Sequence, residues 1–149
     1  MSTVRQLLKE KGNDVWSVIP QTTTLDALKL MAAKNIGALL VAENGKVVGI
    51  FSERDYARQA TLHENFTLSI PVKELMSKNV TFISPEDAIE TCMQLMTSKR
   101  FRHIPVIEGD QVVGLISIGD VVNSIISDQK ETIKQLGSFI SGEGYGANL

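Results

Sequence analysis

The chain has 149 residues, 43% of them hydrophobic and 21% charged, with a formal charge of −2. That is ordinary globular usage, long enough for one domain or for two half-size units sharing a core, and it excludes a fibre or a largely disordered chain. The balance of charge supplies no broad electropositive field, so no nucleic-acid partner is expected, and any anion site must be local. No apolar run approaches membrane-spanning length, and the N-terminal residues lack the uninterrupted apolar core of a signal peptide. The expectation is a cytoplasmic protein without a membrane partner.

Residues 4–11 carry Val4, Leu7 and Leu8 at helical spacing and predict a short amphipathic docking helix that Gly12-Asn13-Asp14 ends. Val15 to Val18 predicts a short strand. Pro20 and Thr22-Thr23-Thr24 supply turn and cap chemistry for a helix near 23–34, with Leu25, Leu28, Met31 and Ala32 on its buried face. Asn35-Ile36-Gly37 ends that helix, and Ala38 to Ala42 is an apolar run of buried-strand length. Asn44-Gly45 is a strong hairpin signal, so Lys46 to Phe51 should return antiparallel, followed by a helix from Glu53 to His63.

Residues 64–71 read as a connector, and Val72 to Met76 as a single helical turn. The pattern then repeats. Val15/Val80, Pro20/Pro85, Leu30/Leu95, Met31/Met96, Val41/Val106, Gly49/Gly114, Ser52/Ser117 and Asp55/Asp120 are identical pairs, each 65 residues apart. The second copy thus predicts a strand at 80–83, a helix over 86–99, a turn at Gly109-Asp110, and a last helix starting near Ile118. That helix should run through Val122, Ile125, Ile126, Ile133 and Leu136, with Gly137 ending or weakening it and a mobile glycine-rich tail over 142–149. Two copies fall short of a solenoid and point to a closed pseudo-two-fold pair.

Each copy ends in a strand that passes a Gly, reaches a Ser and presents an Asp three residues later at a helix start: Gly49-Ile-Phe-Ser52-Glu-Arg-Asp55 and Gly114-Leu-Ile-Ser117-Ile-Gly-Asp120. A helix N-terminus favours phosphate through its unpaired N–H groups and dipole, and a carboxylate there can accept two ribose hydroxyls. Gly119 lets a ligand approach closely. Arg54 could reach a phosphate, in this junction or the other, where Glu53 would repel one, and the room left by Gly119 ranks the Asp120 junction as the surer site. The plainer alternative is a capping box in which Ser and Asp satisfy each other's backbone donors, with no ligand. Arg54 and Arg58 would then be an exposed helix face, and the cluster Lys99-Arg100-Phe101-Arg102-His103 a solvated helix C-terminus.

These motifs resemble the tandem cystathionine-beta-synthase (CBS) domain pair, or Bateman module. The likeness rests on the order of strand, Pro, helix with a Leu-Met pair, buried strand, hairpin and Gly-x-x-Ser-x-x-Asp in both copies, with Arg102-His103-Ile104-Pro105-Val106 entering the second buried strand. It implies a mixed α/β (α+β) fold of two pseudo-two-fold-related β-α-β-β-α repeats packed sheet to sheet, with extra helices at both ends. Residues 1–14 form the N-terminal extension, 15–63 the first repeat, 64–79 the connector, 80–128 the second repeat and 129–149 the C-terminal extension.

The resemblance further implies a regulatory module rather than an enzyme, with no catalytic cofactor. It would bind adenosine-containing ligands (AMP, ADP, ATP, NAD or S-adenosylmethionine) in clefts between the repeats. By position, Asp120 and Ser117 would serve one cleft, with Gly119 and Ile118 between them, and Asp55, Ser52 and Arg54 the other. Adenine contacts would come from Ile83, Arg102, His103 and Ile104 in the second repeat and from Val18, Ile36, Gly37 and Ala38 in the first. The expected partners are a second copy, as a homodimer, and an unidentified regulated protein; the alternative is a ligand-independent dimerisation or scaffold protein.

Catalytic and metal chemistry have little support. No nucleophile elbow, Walker loop or ordered Ser, His and Asp stands out, and Gly142-Glu-Gly-Tyr-Gly follows a helix rather than joining a strand to one. His63 and His103 lack metal-site spacing, so no metal is expected. Cys92, the only cysteine, lies in a helical pattern and reads as a buried small apolar side chain.

Overall fold

The computed structural model describes residues 2–145, with side chains described through residue 140. The chain divides into two compact units: a continuous one, Asp14–Phe82, and a composite one, Met1–Asn13 with Ile83–Leu149.

In the continuous unit, β1 (Ser17–Val18) pairs parallel with β2 (Ala38–Glu43), which pairs antiparallel with β3 (Lys46–Ser52). Asn44 and Gly45 both take positive φ, 53° and 77°, the conformation that a two-residue hairpin following the strand twist demands. Helix α2 (Thr24–Lys34) starts where the Thr23 hydroxyl accepts from the Asp26 N–H at 3.1 Å, and ends on Asn35 in the left-handed region. Its buried residues are Thr24, Ala27 and Met31, with Leu28 packed partly buried on the same core; Met31 and Leu28 of the sequence reading lie on the inner face, whereas Leu25 and Ala32 are exposed. The phase is set by Thr24, whose hydroxyl donates to the Ile70 carbonyl at 2.7 Å and draws the connector over the helix start. Helix α3 (Glu53–Leu62) follows β3 directly.

The composite unit repeats this arrangement with α4 (Ile89–Lys99), the hairpin β4 (His103–Glu108) and β5 (Gln111–Ser117), and α5 (Ile118–Tyr145). Three expectations change. Residues 80–83 form no strand; Ile83 alone bridges Val106 in parallel, its N–H donating to Pro105 and its carbonyl accepting from Ile107. Helix α4 begins at Ile89 rather than 86, because the Asp87 carboxylate accepts the Ser84 N–H at 2.8 Å and closes a local turn that competes with helix. Helix α5 runs through Gly137 to Tyr145, since one glycine within a long helix costs only about 1 kcal/mol. The tail expected to be mobile is therefore helical over 142–145, and residues 146–149 lie outside the described residues.

The segments that precede the repeats complete the cores. Helix α1 (Val4–Lys11) belongs to the composite unit, where Val4, Leu7 and Leu8 join Ile89, Cys92, Ile104, Val106, Ile116 and Val121 in one buried cluster. Val72 and Leu75, in and after a 3₁₀ turn (Val72–Glu74), join Ala27, Met31, Leu39, Val41 and Phe51 in the other. The two segments are equivalent. Val4-x-x-Leu7-Leu8 and Val72-x-x-Leu75-Met76 stand 68 residues apart, and Leu8 and Met76 sit against corresponding glycines. A Cβ on Gly114 would come within 2.6 Å of the Leu8 side chain, and one on Gly49 within 2.5 Å of the Met76 sulfur. A side chain at either place would have to push Leu8 or Met76 out of its seat, and at Gly49 it would also crowd the Ser77 carbonyl at 3.0 Å.

Cys92 is fully buried, and burial pushes its thiol up to about 11, so it packs as a small apolar side chain rather than a reactive thiolate. Among the described residues no helix is long and apolar enough to cross a membrane.

Candidate functional site

Each unit carries one strand-to-helix junction, and the two are built alike. Ser52 closes β3 and caps α3: its hydroxyl accepts from the Asp55 N–H at 3.1 Å while the Asp55 carboxylate accepts from the Ser52 N–H at 2.9 Å. Ser117 and Asp120 do the same at the head of α5, at 3.1 and 2.9 Å. The first residue of each helix is tied back to the preceding segment, Glu53 N–H donating to Gly37 O at 3.1 Å and Ile118 N–H to Arg102 O at 2.8 Å. Across each hairpin Ser52 faces Ala38 and Ser117 faces His103. Strand, serine and carboxylate are thus fixed by local bonds, and the capping boxes read from sequence are present in both units.

Around the Asp120 junction the structure brings Ser117, Ile118, Gly119, Arg102 and His103 together. Gly119 is exposed, and a Cβ placed on it would meet only the Ser117 hydroxyl, at 3.6 Å, so the approach to the helix end is open. Ile83 and Ile104, expected to touch adenine, have their side chains in the composite core, 4% and 0% exposed, and only their backbone can face a ligand. Around Asp55 the same holds for Ala38, 1% exposed, while Val18 and Ile36 pack partly buried on the core of their unit and Gly37 and Arg54 are half-buried.

The junctions differ in what else their carboxylates hold. Asp55 accepts from the Ser77 hydroxyl at 3.2 Å, a neutral partner. Asp120 accepts from the Lys11 ammonium at 2.5 Å, and Lys11 also donates to the Leu115 carbonyl at 2.7 Å. Partial burial opposes ionisation of Asp120, but the Lys11 ammonium and the Ser117 N–H outweigh it and hold the carboxyl below its ordinary range. Asp120 is therefore a fixed, ionised acceptor at neutral pH. Beside the pair a polar hollow of about 240 Å³ opens between α1 and α5, with Glu10, Asn123, Ser124 and Asp128 on its walls.

Lys11 and Ser77 escaped the sequence reading. Each lies just past the Val-x-x-Leu-[Leu/Met] pattern of the segment before a repeat; that pattern, whose 68-residue spacing is hidden behind the 65-residue register, marks the two segments as alike but points to neither residue as a carboxylate partner, since Lys11 and Ser77 stand 66 apart.

The CBS domain family matches residues 4–60 and 72–127, and the chain belongs to that family. It is 34% identical, over 97% of its own length and 74% of the relative's, to the mitochondrial CBS domain-containing protein CBSX3 of Arabidopsis thaliana. The cytoplasmic location expected from the sequence is thus not shared by every member. A protein with CBS domains from Burkholderia ambifaria MC40-6 has the same fold at a TM-score of 0.81 and 45% identity, over 86% of this chain and 96% of that one. The CBS domain pair of protein MJ0100, whose structure holds 5′-methylthioadenosine and S-adenosylmethionine, shares the fold at a TM-score of 0.74 and 21% identity, over 86% and 98% of the two chains.

Proposed function

We propose that this chain is a regulatory CBS-pair protein that binds adenosine-containing ligands (AMP, ADP, ATP, NAD or S-adenosylmethionine) at its Ser-x-x-Asp junctions and signals their level to a partner protein. The observation that carries the reading is Asp120: an ionised carboxylate locked at a helix N-terminus, next to a glycine with open space before it. Such a group accepts ribose hydroxyls while the helix end favours phosphate. Bound adenosine ligands in a distant protein of the same fold support the ligand class. Ligand would act by binding one arrangement of the protein better than another, with no bond made or broken, which is regulation rather than catalysis. Assembly as a homodimer is supported by the exposed apolar side chains of α5, among them Ile126, Ile133, Leu136 and Ile140.

A second reading has its own support, because both capping boxes are complete without ligand. In that case the protein is a ligand-independent scaffold. Thermal melting of ligand-stripped protein separates the two. A true ligand at a hundred times its dissociation constant adds about 2.7 kcal/mol of stability and raises Tm by several degrees. AMP, ATP, NAD or S-adenosylmethionine is expected to do so; an unmoved Tm with all of them at millimolar concentration favours the scaffold.

A further inference from the structure

The sharpest difference between the two junctions is a cation. Helix α1 is pinned by Val4, Leu7 and Leu8 in the composite core and by the close seat of Leu8 against Gly114, so the backbone of Lys11 is fixed relative to Asp120. Its side chain is not pinned in the same way. It ends in a single ammonium on a flexible stem, one third exposed (34%), against a carboxylate exposed by 23%. At Asp55 the corresponding contact from the segment before the next repeat is the neutral Ser77 hydroxyl.

This arrangement imposes a condition on any ligand that takes the Asp120 carboxylate. Lys11 and the Ser117 N–H both fall on Oδ2 of Asp120, so one ribose hydroxyl can take Oδ1, but a second must take Oδ2 and displace the Lys11 ammonium, and a partly buried charge that loses its partner is costly. An uncharged nucleoside offers nothing in return. S-adenosylmethionine carries a single carboxylate beside a sulfonium and an ammonium, so it is net cationic and answers the displaced ammonium with more positive charge than negative. A phosphate supplies anionic acceptors for the displaced ammonium, for which a lysine serves as a point charge.

We propose that Lys11 sets the ligand class of the Asp120 junction: it neutralises the carboxylate in the absence of ligand, yields it to ribose, and moves its ammonium onto the ligand's phosphate. The junction therefore selects anionic adenosine nucleotides over adenosine and over S-adenosylmethionine. The inference rests on the nucleotide reading of the Asp120 junction and specifies its ligand. Lys11 acts as a binding and specificity residue contributed from outside the repeat that holds the carboxylate.

The test is calorimetry on ligand-stripped protein in an Asp55→Ala background, with AMP, adenosine and S-adenosylmethionine as separate titrants. With Lys11 intact, AMP is expected to bind best. Lys11→Met should weaken AMP about tenfold or more, the scale of one lost charge-assisted contact, while adenosine and S-adenosylmethionine bind as before or tighter because their competitor is gone. Lys11→Arg, which keeps the charge, should retain the preference for AMP. An AMP-to-adenosine affinity ratio unchanged in Lys11→Met overturns the inference and leaves the nucleotide reading standing. Failure of all three compounds to bind with Lys11 intact overturns the nucleotide reading and the inference together.

Discussion

Asp120→Ala is expected to weaken AMP binding at its junction about a hundredfold, and Asp55→Ala to weaken binding at the other by about tenfold or less, measured by equilibrium dialysis of ligand-stripped protein. The larger figure follows from losing a charged acceptor for two ribose hydroxyls, each such bond contributing about 1.5 kcal/mol. Asp120 is expected to be the better anchor because the Lys11 ammonium and the Ser117 N–H both fall on Oδ2, whereas Asp55 uses both oxygens, Oδ2 on Ser52 and Oδ1 on Ser77. The neighbour of Asp120 is also a glycine with open space, where Asp55 has Arg54. Each substitution also removes part of a cap, worth about 1 kcal/mol of stability, so affinities must be compared where both variants are folded. Equal losses in the two variants would reject the ranking.

Deleting residues 2–11 is expected to unfold the composite unit. The segment buries Val4, Leu7 and Leu8, and three such side chains are worth about 5 to 9 kcal/mol as an upper bound, comparable with the whole stability of a small domain. It also ties its own end to α5, the Ser2 hydroxyl and N–H donating to Asp128 at 2.7 and 3.0 Å. Urea unfolding should show the loss as a missing or strongly shifted transition. Arg5→Ala is the control, since Arg5 pairs with Glu86 and Glu108 in full solvent and should leave the midpoint nearly in place. A deletion variant with the transition of the intact protein would show that α1 is an appendage.

The repeat was legible from sequence because its elements are local: the Asn44-Gly45 hairpin, the apolar run Ala38 to Ala42 and the Ser-x-x-Asp caps each carry their cause within a few residues. What stayed hidden depends on distant partners. Residues 80–83 have strand-like composition, yet only Ile83 finds a bridge, and the buried phase of α2 is chosen by the Ile70 carbonyl rather than by Leu25. The strands and caps of the candidate site could be placed in advance. The Lys11 counter-charge could not, since 109 residues separate it from Asp120 and nothing in an amphipathic octet says which unit it will cover.

The most direct test is a calorimetric titration of AMP into the ligand-stripped, full-length protein. Saturable binding that Asp120→Ala greatly weakens is the expected result, with the heat of the Asp120 junction lost and any heat from the Asp55 junction retained. No saturable binding of AMP at millimolar concentration, or identical isotherms for the protein and its Asp120→Ala variant, would contradict a nucleotide site built on that carboxylate.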